Sequence, residues 1–321
     1  MTNAAANDII GLGDKLKMRT KSVPSSPLLY SLALALLLGI LGSSACAPAG
    51  PTSGAAPEVG DVQTIQNKGS DTIVNVALAW AEAYTVQHPE VRIAVTGGGS
   101  GTGIAALING TVDIANASRA MKPEERERAQ ANGVEPLEHV IAADAIAVVV
   151  HPSNPVDGLT IDQLSEIFTG QITNWREVGG EDRPIVLLSR ESNSGTHIYF
   201  LEEVVRKGEK GNQALFSPDT LLMPSSEGIS HEIRQNPNAI GYDGLGYVTE
   251  DQKTLAVAIR AGKPYVWPAI ATVKDGSYPI ARSLYMYTNG QPTGVIKDYL
   301  DWILSDEGQA IVRELGFVPL R

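Results

Sequence analysis

Strand signals and helix signals alternate along most of this 321-residue chain. Short runs rich in valine and isoleucine, of which 91–96 and 141–150 are the clearest, alternate with helical patterns at 72–87, 161–168, 195–207 and 295–314. This alternation is typical of an α/β fold with a mixed, mostly parallel sheet. Ligands of such folds bind at the carboxyl ends of the strands. The pattern therefore predicts a site at those strand ends.

Three short segments that combine glycine with hydroxyl residues follow predicted strands: Gly69–Thr72, Gly97–Gly103 and Arg190–Thr196. Glycine lets the backbone approach a ligand closely, and the first turn of a helix offers unpaired N–H groups. In the third segment, the arginine can hold two oxygens of a tetrahedral anion while Ser194 and Thr196 donate hydroxyl groups. Together the segments predict a site for one small anion.

Each segment taken alone also has an ordinary structural interpretation. Asp71 and Thr72 are residue types that commonly cap helices. Gly97–Gly103, with five glycines in seven residues, matches neither nucleotide-binding signature and fits a tight turn as well as an anion cradle. Arg190 fits a surface charge beside a helix cap, and Arg119, which follows Ser118 at another strand end, also fits a surface charge.

The composition of the chain limits the classes of function that it can have. The apolar fraction of 43% and the charged fraction of 19% are those of a globular protein with a substantial core. A formal net charge of −11 argues against nucleic acid as a partner. The five histidines show no metal-ligand spacing, and no Gly-x-Ser-x-Gly nucleophile motif occurs. We therefore expect a binding protein with no catalytic residues, metal or cofactor rather than an enzyme.

The amino-terminal part reads as an export signal. Basic residues at 15–21 precede an apolar run at 28–41, which is short for a membrane span. We expect a signal peptide over 1–45 and a flexible tether over 46–60. The basic region is long when counted from Met1, and a start at Met18 would give more usual proportions.

Cys46 is the only cysteine in the chain and follows the apolar run directly. Its position resembles that of the lipidated cysteine of bacterial lipoproteins, although Ser43 stands where that signal prefers leucine. An ordinary signal-peptidase site is the alternative. Both interpretations predict export to the outer face of the cytoplasmic membrane or the periplasm.

The chain resembles the phosphate-binding proteins of bacterial Pst-type ABC transporters over nearly all of its mature sequence. The resemblance rests on motifs that occur in a fixed order: Lys68–Thr72, Gly99–Ile104, Asp113–Arg119, Leu164–Gly170 with Asn174 and Trp175, Arg190–Thr196, Ala239–Tyr242, Ser305–Gln309 and Gly316–Leu320.

This resemblance implies a type II periplasmic-binding-protein (Venus-flytrap) fold with two crossover hinge segments. Its lobes would be 61–145 with 246–321, and 146–245. It also implies a monomer that captures inorganic phosphate by hinge closure and delivers it to ABC permease subunits. The implied phosphate-binding residues are Asp71, Thr72, Ile73 through its amide, Ser100, Ser118, Arg119, Arg190, Ser194, Gly195 through its amide, and Thr196.

One position departs from part of the family. Some members have an aspartate directly after the serine of the Ser118 segment, where it accepts the phosphate proton and disfavours sulfate. Here Arg119 stands at that position, so either Asp71 supplies the acceptor or discrimination against sulfate is weaker.

Three rival functions stay open at this point. The first is a receptor for another tetrahedral oxyanion, such as sulfate, molybdate, tungstate or arsenate. The second is an exported phosphatase, which would need a metal cluster or an activated nucleophile. The third is a sensor or adhesin that uses the same fold to bind phosphate and signal.

Overall fold

A long apolar strand runs through the middle of a mixed β-sheet. We describe residues 62–321 of a computed structural model of the chain, and the predicted signal peptide, tether, Cys46 and Met18 lie outside these residues. The described residues contain ten strands: β1 (Gln63–Gly69), β2 (Val91–Thr96), β3 (Ile114–Ala117), β4 (Pro136–Val150), β5 (Gly158–Thr160), β6 (Val186–Arg190), β7 (Leu221–Met223), β8 (Ala239–Gly244), β9 (Lys253–Ala258) and β10 (Ala281–Asn289).

Nine α-helices surround these strands in the described part of the chain: α1 (Asp71–Gln87), α2 (Ser100–Ile108), α3 (Pro123–Ala131), α4 (Ile161–Phe168), α5 (Gly195–Phe200), α6 (Ser226–Gln235), α7 (Ile270–Lys274), α8 (Gly294–Ile303) and α9 (Asp306–Glu314). Helix α5 continues into a π-helical turn at Leu201–Val205, and 3₁₀ turns cover Trp175–Val178 and Leu245–Tyr247.

The sheet order is β2-β1-β3-β10-β4-β8-β6-β7, with β9 pairing with both β4 and β5. The outer strands pair in parallel, as β1 does with β2 and β3, and β6 with β7 and β8. The central strands β10 and β4 pair antiparallel with their neighbours. The predicted mixed α/β sheet is therefore confirmed, and its antiparallel ladders lie at the centre.

Strand β4 joins two hydrophobic cores. Ile141 and Ala142 near its middle pack into a core with α1, α8 and α9, whereas Ile146, Val148 and Val150 pack into a core with α4 and α5. A fifteen-residue strand can serve both cores because almost every residue of its second half is apolar and buried. The molecule is thus built as two lobes on one continuous sheet.

The hydrophobic cores indicate with which lobe the later strands pack. Leu255 and Val257 of β9, together with Tyr278 and Ile280, pack into the core that contains α4 and α5. Strand β9 is held there because it pairs in parallel with β5 and antiparallel with the second half of β4. These four residues therefore pack with α4 and α5, although the sequence prediction assigns 246–321 to the first lobe.

Most of the predicted elements are present, with shifted ends. The helix expected over 295–314 is two helices, because Ser305 caps α9 by accepting a hydrogen bond from the Gly308 amide. The helix expected over 195–207 is α-helical only as far as Phe200.

Candidate anion-binding site

Four strand ends bring the glycine–hydroxyl segments to one edge of the sheet. Strands β1, β2, β3 and β6 end directly before, or within, the segments that contain Thr72, Ser100, Ser118 and Arg190. All four side chains are buried there. The structure therefore brings together segments that lie more than 100 residues apart in the chain, as the alternating pattern predicts.

Two serines of the first lobe meet a glycine of the second. Ser100 Oγ accepts a hydrogen bond of 3.0 Å from the Ser118 amide and lies 3.2 Å from Ser118 Oγ. A Cβ atom added at Gly195 would lie 2.3 Å from Ser100 Oγ and 2.5 Å from Ser118 Oγ. Only glycine permits this approach of α5 to the two hydroxyl groups.

Two threonines form a second contact between the lobes, beside an arginine. Thr72 Oγ1 and Thr196 Oγ1 are 2.7 Å apart. Arg282 Nη2 donates to Thr196 Oγ1 at 2.9 Å and lies 3.4 Å from Thr72 Oγ1. Arg282 and its partner Asp144 face each other across the β10–β4 ladder, with Arg282 Nη2 and Asp144 Oδ2 3.0 Å apart. A fully buried ion pair therefore places a guanidinium at the threonine hydroxyl groups.

Arg190 is held from several directions at the end of β6. Its Nη2 donates to the carboxylate of Asp71 and to the carbonyl of Pro224, and its Nη1 donates to Ser226 Oγ at 2.8 Å. The side chain is 1% exposed, and its Nε has no hydrogen-bond partner among the described residues. A buried N–H group without a partner is rare in proteins, so Nε is a donor available to a ligand.

Helix starts complete the cluster. Ser194 caps α5, and its Oγ accepts from the amides of Thr196 and His197 at 3.2 and 3.4 Å. The hydroxyl proton of Ser194 is still available for donation. The Ile73 amide, expected to face the ligand, donates to the Ser70 carbonyl at 3.2 Å. Asp71 is the first residue of α1 rather than its cap, which is Ser70.

Arg119 does not join this cluster. Both of its terminal nitrogens donate to the carboxylate of Glu125, at 2.8 and 2.7 Å, in a bidentate pair within the first lobe. Burial opposes ionisation of Glu125, but the hydrogen bonds from Arg119 and from the Lys122 amide hold its pKa below the usual value. The short helix α3 that carries Glu125 has no apolar periodicity, so the sequence alone did not predict this partner.

Three buried charged residues of the site were not predicted: Asp144, Asp243 and Arg282. Asp144 is the one charged residue within the otherwise apolar run 141–150, and a charge in such a strand requires a partner. Arg282 occupies the first of the alternate buried positions of β10, which continue with Leu284 and Met286. These two signals were present in the sequence, but nothing in it indicated that the two residues pair.

A buried polar network supports the floor of the site. Ser189 Oγ lies 3.0 Å from His197 Nδ1 and 2.5 Å from the Tyr242 hydroxyl, and Tyr242 stacks on Phe200 with ring centroids 3.7 Å apart. Burial lowers the pKa of His197 and raises that of Tyr242. The Ser189 side chain is fully buried, and its contact with His197 joins the end of β6 to α5.

The donor set determines what the site can do chemically. Two guanidinium groups, several hydroxyl groups and the start of α5 converge where the lobes meet, which is a suitable environment for the oxygens of a tetrahedral anion. Among residues 62–321, no group of three or more His, Cys, Asp or Glu side chains is arranged to hold a metal ion. Within the same range, no helix is both long and apolar enough to cross a bilayer.

The chain is similar to known proteins over most of its length. The PBP superfamily domain matches residues 51–307. The phosphate-binding protein PstS of Pseudomonas aeruginosa is 34% identical over 273 residues, covering 80% of this chain and 83% of that protein. PstS of Bacillus subtilis is also 34% identical, over 253 residues, covering 78% and 79% of the two chains.

A solved structure from Clostridium perfringens, described as a phosphate ABC transporter substrate-binding protein with bound phosphate, is similar in fold and in sequence. Its TM-score is 0.72 at 33% sequence identity, covering 81% of this chain and all of that one. The two-lobed architecture, the order of the motifs and the extent of these matches lead to one conclusion. The chain belongs to the PBP superfamily, in the family of the PstS phosphate-binding proteins.

Proposed function

We propose that this protein captures inorganic phosphate outside the cytoplasm and delivers it to an ABC importer. Two observations carry the proposal: the buried Nε of Arg190 has no partner among the described residues, and the Arg282 guanidinium contacts the threonine hydroxyl groups of both lobes. Phosphate has four oxygens and needs many fixed donors. Such donors act strongly only where water is excluded.

Closure of the two lobes over the anion is part of this proposal. Outside the cluster, the Gly101 amide donates to the Asn193 carbonyl at 3.0 Å, and Asn193 Nδ2 donates to the Gly98 carbonyl at 3.0 Å. These bonds join the glycine loop of the first lobe to the segment before α5 in the second. They support a closed state in which the ligand is enclosed, and opening would release it.

We propose that the ligand is held by residues of both lobes. From the first lobe these are Thr72, Ser100, Ser118 and Arg282, with Asp71 orienting Arg190, and from the second lobe Arg190, Ser194, Gly195 and Thr196. The Ile73 amide belongs to this set only if it turns from the Ser70 carbonyl toward the anion. We leave Arg119 out because, among the described residues, its side chain donates only to Glu125 and the Ala120 carbonyl and to no member of this set.

The cellular setting follows from the sequence and the family. We propose that the protein is exported, is anchored by a lipid on Cys46, acts as a monomer without catalytic activity, and docks on membrane permease subunits. Labelling of cells with a radioactive fatty acid, comparing the parent protein with Cys46→Ser, tests the anchor. Incorporation in both proteins or in neither would contradict it.

Calorimetric titration of the purified, anion-free protein tests the binding function. We expect one phosphate per chain, with no displacement by a large excess of sulfate, because sulfate carries no proton to share with the carboxylates of the site. Displacement by sulfate would instead assign the protein as a general oxyanion receptor. Absence of heat from phosphate would contradict the proposal.

A further inference from the structure

A third carboxylate lies directly behind the Arg190 guanidinium. Ser226 Oγ, which accepts from Arg190 Nη1, donates at 2.8 Å to Asp243 Oδ1. Asp243 Oδ1 also accepts from the Gly244 amide at 2.8 Å. Asp243 is 1% exposed, and its Oδ2 atom is buried without a hydrogen-bond partner among the described residues.

The charges at this junction do not balance. Two buried guanidinium groups face three carboxylates, so the cluster carries a net charge of −1 before any anion binds: Arg190 and Arg282 against Asp71, Asp144 and Asp243. Adding a phosphate dianion would raise the excess negative charge further in a site from which water is excluded. That is costly unless a group in the site becomes neutral.

The three carboxylates differ in how easily they can be neutralised. Asp144 accepts from Arg282 through Oδ2 and from the Leu245 amide through Oδ1. Asp71 pairs directly with Arg190 and is 17% exposed. Asp243 is separated from the nearest arginine by the Ser226 hydroxyl, and only its Oδ2 atom is left without a partner. A proton on that atom breaks no existing hydrogen bond.

Burial of Asp243 also favours its neutral form. The groups that face it are Arg190 on β6, Asp144 on β4, Tyr247 in the turn after β8 and, on α6, the Ser226 hydroxyl. Burial raises the pKa of Asp243 to about 6, while Arg190 and the Ser226 hydrogen bond act in the opposite direction. Burial thus moves the titration of Asp243 toward neutral pH, closer to it than that of an ordinary aspartate.

We propose that Asp243 takes up a proton when the phosphate dianion binds, which makes it the group that adapts the charge of the site to its ligand. This inference rests on the proposed phosphate-binding function. The proton enters from solvent on Oδ2, and the Ser226 hydrogen bond to Oδ1 is kept. Because the bound state then holds more protons than the free protein and the dianion together, affinity for the phosphate dianion falls as the pH rises above the pKa of Asp243 in the free protein.

Calorimetry in buffers of different ionisation enthalpy counts the protons taken up per phosphate. At about pH 8, where a carboxyl with a pKa of about 6 is ionised and free phosphate is mostly the dianion, we expect between about one half and one proton per phosphate for the parent protein. We expect close to none for Asp243→Asn, which keeps an oxygen acceptor for Ser226. Asp219→Asn, at an exposed aspartate, is the matched control and should behave like the parent.

The outcomes separate this inference from the proposed function. Equal proton uptake by the parent and Asp243→Asn would put the proton on the phosphate itself and overturn the inference, although phosphate binding would stand. No uptake in the parent would also overturn it. Absence of phosphate binding by the parent would instead contradict the proposed function.

A second measurement takes its readout from the parent protein and uses variants only for assignment. In parent protein labelled with ¹³C at the aspartate carboxyl groups, we expect one buried carboxyl resonance to move from the ionised to the protonated position when phosphate is added at the same pH. Asp243→Ser, or Asp243→Asn, assigns that resonance. If every buried carboxyl resonance keeps the ionised position, the inference is wrong.

Discussion

The two arginine–aspartate pairs of the site are built in different ways. Arg282 and Asp144 are cross-strand neighbours in the centre of the sheet, and both side chains are almost completely buried. Arg190 and Asp71 come from opposite lobes, and the aspartate keeps contact with solvent. The first pair lies within the central sheet, whereas the second pair links the two lobes.

The two pairs should therefore control different properties of the protein. A buried pair within the central sheet is present whether the lobes are open or closed. Breaking it therefore leaves an uncompensated buried charge in both the open and the closed state. A pair between the lobes contributes mainly to the closed state, so breaking it changes the affinity for a ligand that requires closure. Variants of the two pairs should therefore separate folding stability from binding.

The largest effect is expected for Arg282→Met. Loss of the guanidinium leaves Asp144 buried and unpaired, which should lower the free energy of unfolding by about 3–5 kcal/mol. Thermal and urea unfolding of the ligand-free protein measure this loss. The double variant Arg282→Met with Asp144→Leu should recover most of it, because no unpaired charge is then buried. Equal instability of the single and double variants would contradict this explanation.

Arg190→Ala should act mainly on binding. We expect phosphate affinity to fall at least about a hundredfold, because the Nε donor to the ligand and the pair with Asp71 across the lobes are both lost, at about 1.5–3 kcal/mol each. The unfolding midpoint should fall less than in Arg282→Met. Arg119→Met is the comparison variant, and its affinity should stay within about threefold of the parent. A larger loss of affinity in Arg119→Met than in Arg190→Ala would mean that the site is misplaced.

Gly195→Ala tests the approach of the lobes themselves. Its methyl group would lie 2.3 and 2.5 Å from two serine hydroxyl oxygens, so the closed state has to shift, and we expect at least about a tenfold loss of affinity. Gly228→Ala is a matched control, because it lies in the first turn of another helix and its nearest neighbours would be 3.6 Å away. Similar affinities of the two variants would show that Gly195 does not limit closure.

Asn193→Ala should have the smallest effect. It removes one exposed hydrogen bond, from Asn193 Nδ2 to the Gly98 carbonyl, which is worth about 0.5–1.5 kcal/mol. Stopped-flow measurements should show phosphate dissociation accelerated by up to about tenfold, with little change in thermal stability. Gln213→Ala, at an exposed position, serves as the control. An unchanged dissociation rate would mean that this contact does not hold the lobes closed.

The parts of the site that could be predicted from sequence are those encoded by neighbouring residues. The glycine–hydroxyl segments and Arg190 are local patterns, and the alternation of strands and helices places them at one edge of the sheet. The helices over 72–87 and 161–168 were also predicted well, because their apolar periodicity and start signals agree.

The parts that could not be predicted depend on pairing between distant segments. Arg282 lies 138 positions from Asp144, and only the register of β10 against β4 brings them together. The family resemblance placed Arg119 at the ligand, but its side chain pairs with Glu125, six residues further on. In both cases, the direction of a side chain was decided by a tertiary partner that no local pattern indicates.

A crystal structure of the protein grown with phosphate would show where the anion binds. We predict a tetrahedral anion within hydrogen-bonding distance of Arg190 Nε and of the hydroxyl groups of Ser194 and Thr196, with Arg282 beside it and Arg119 still paired with Glu125. An anion bound to Arg119 instead, or lobes that stay apart with phosphate present, would contradict this account.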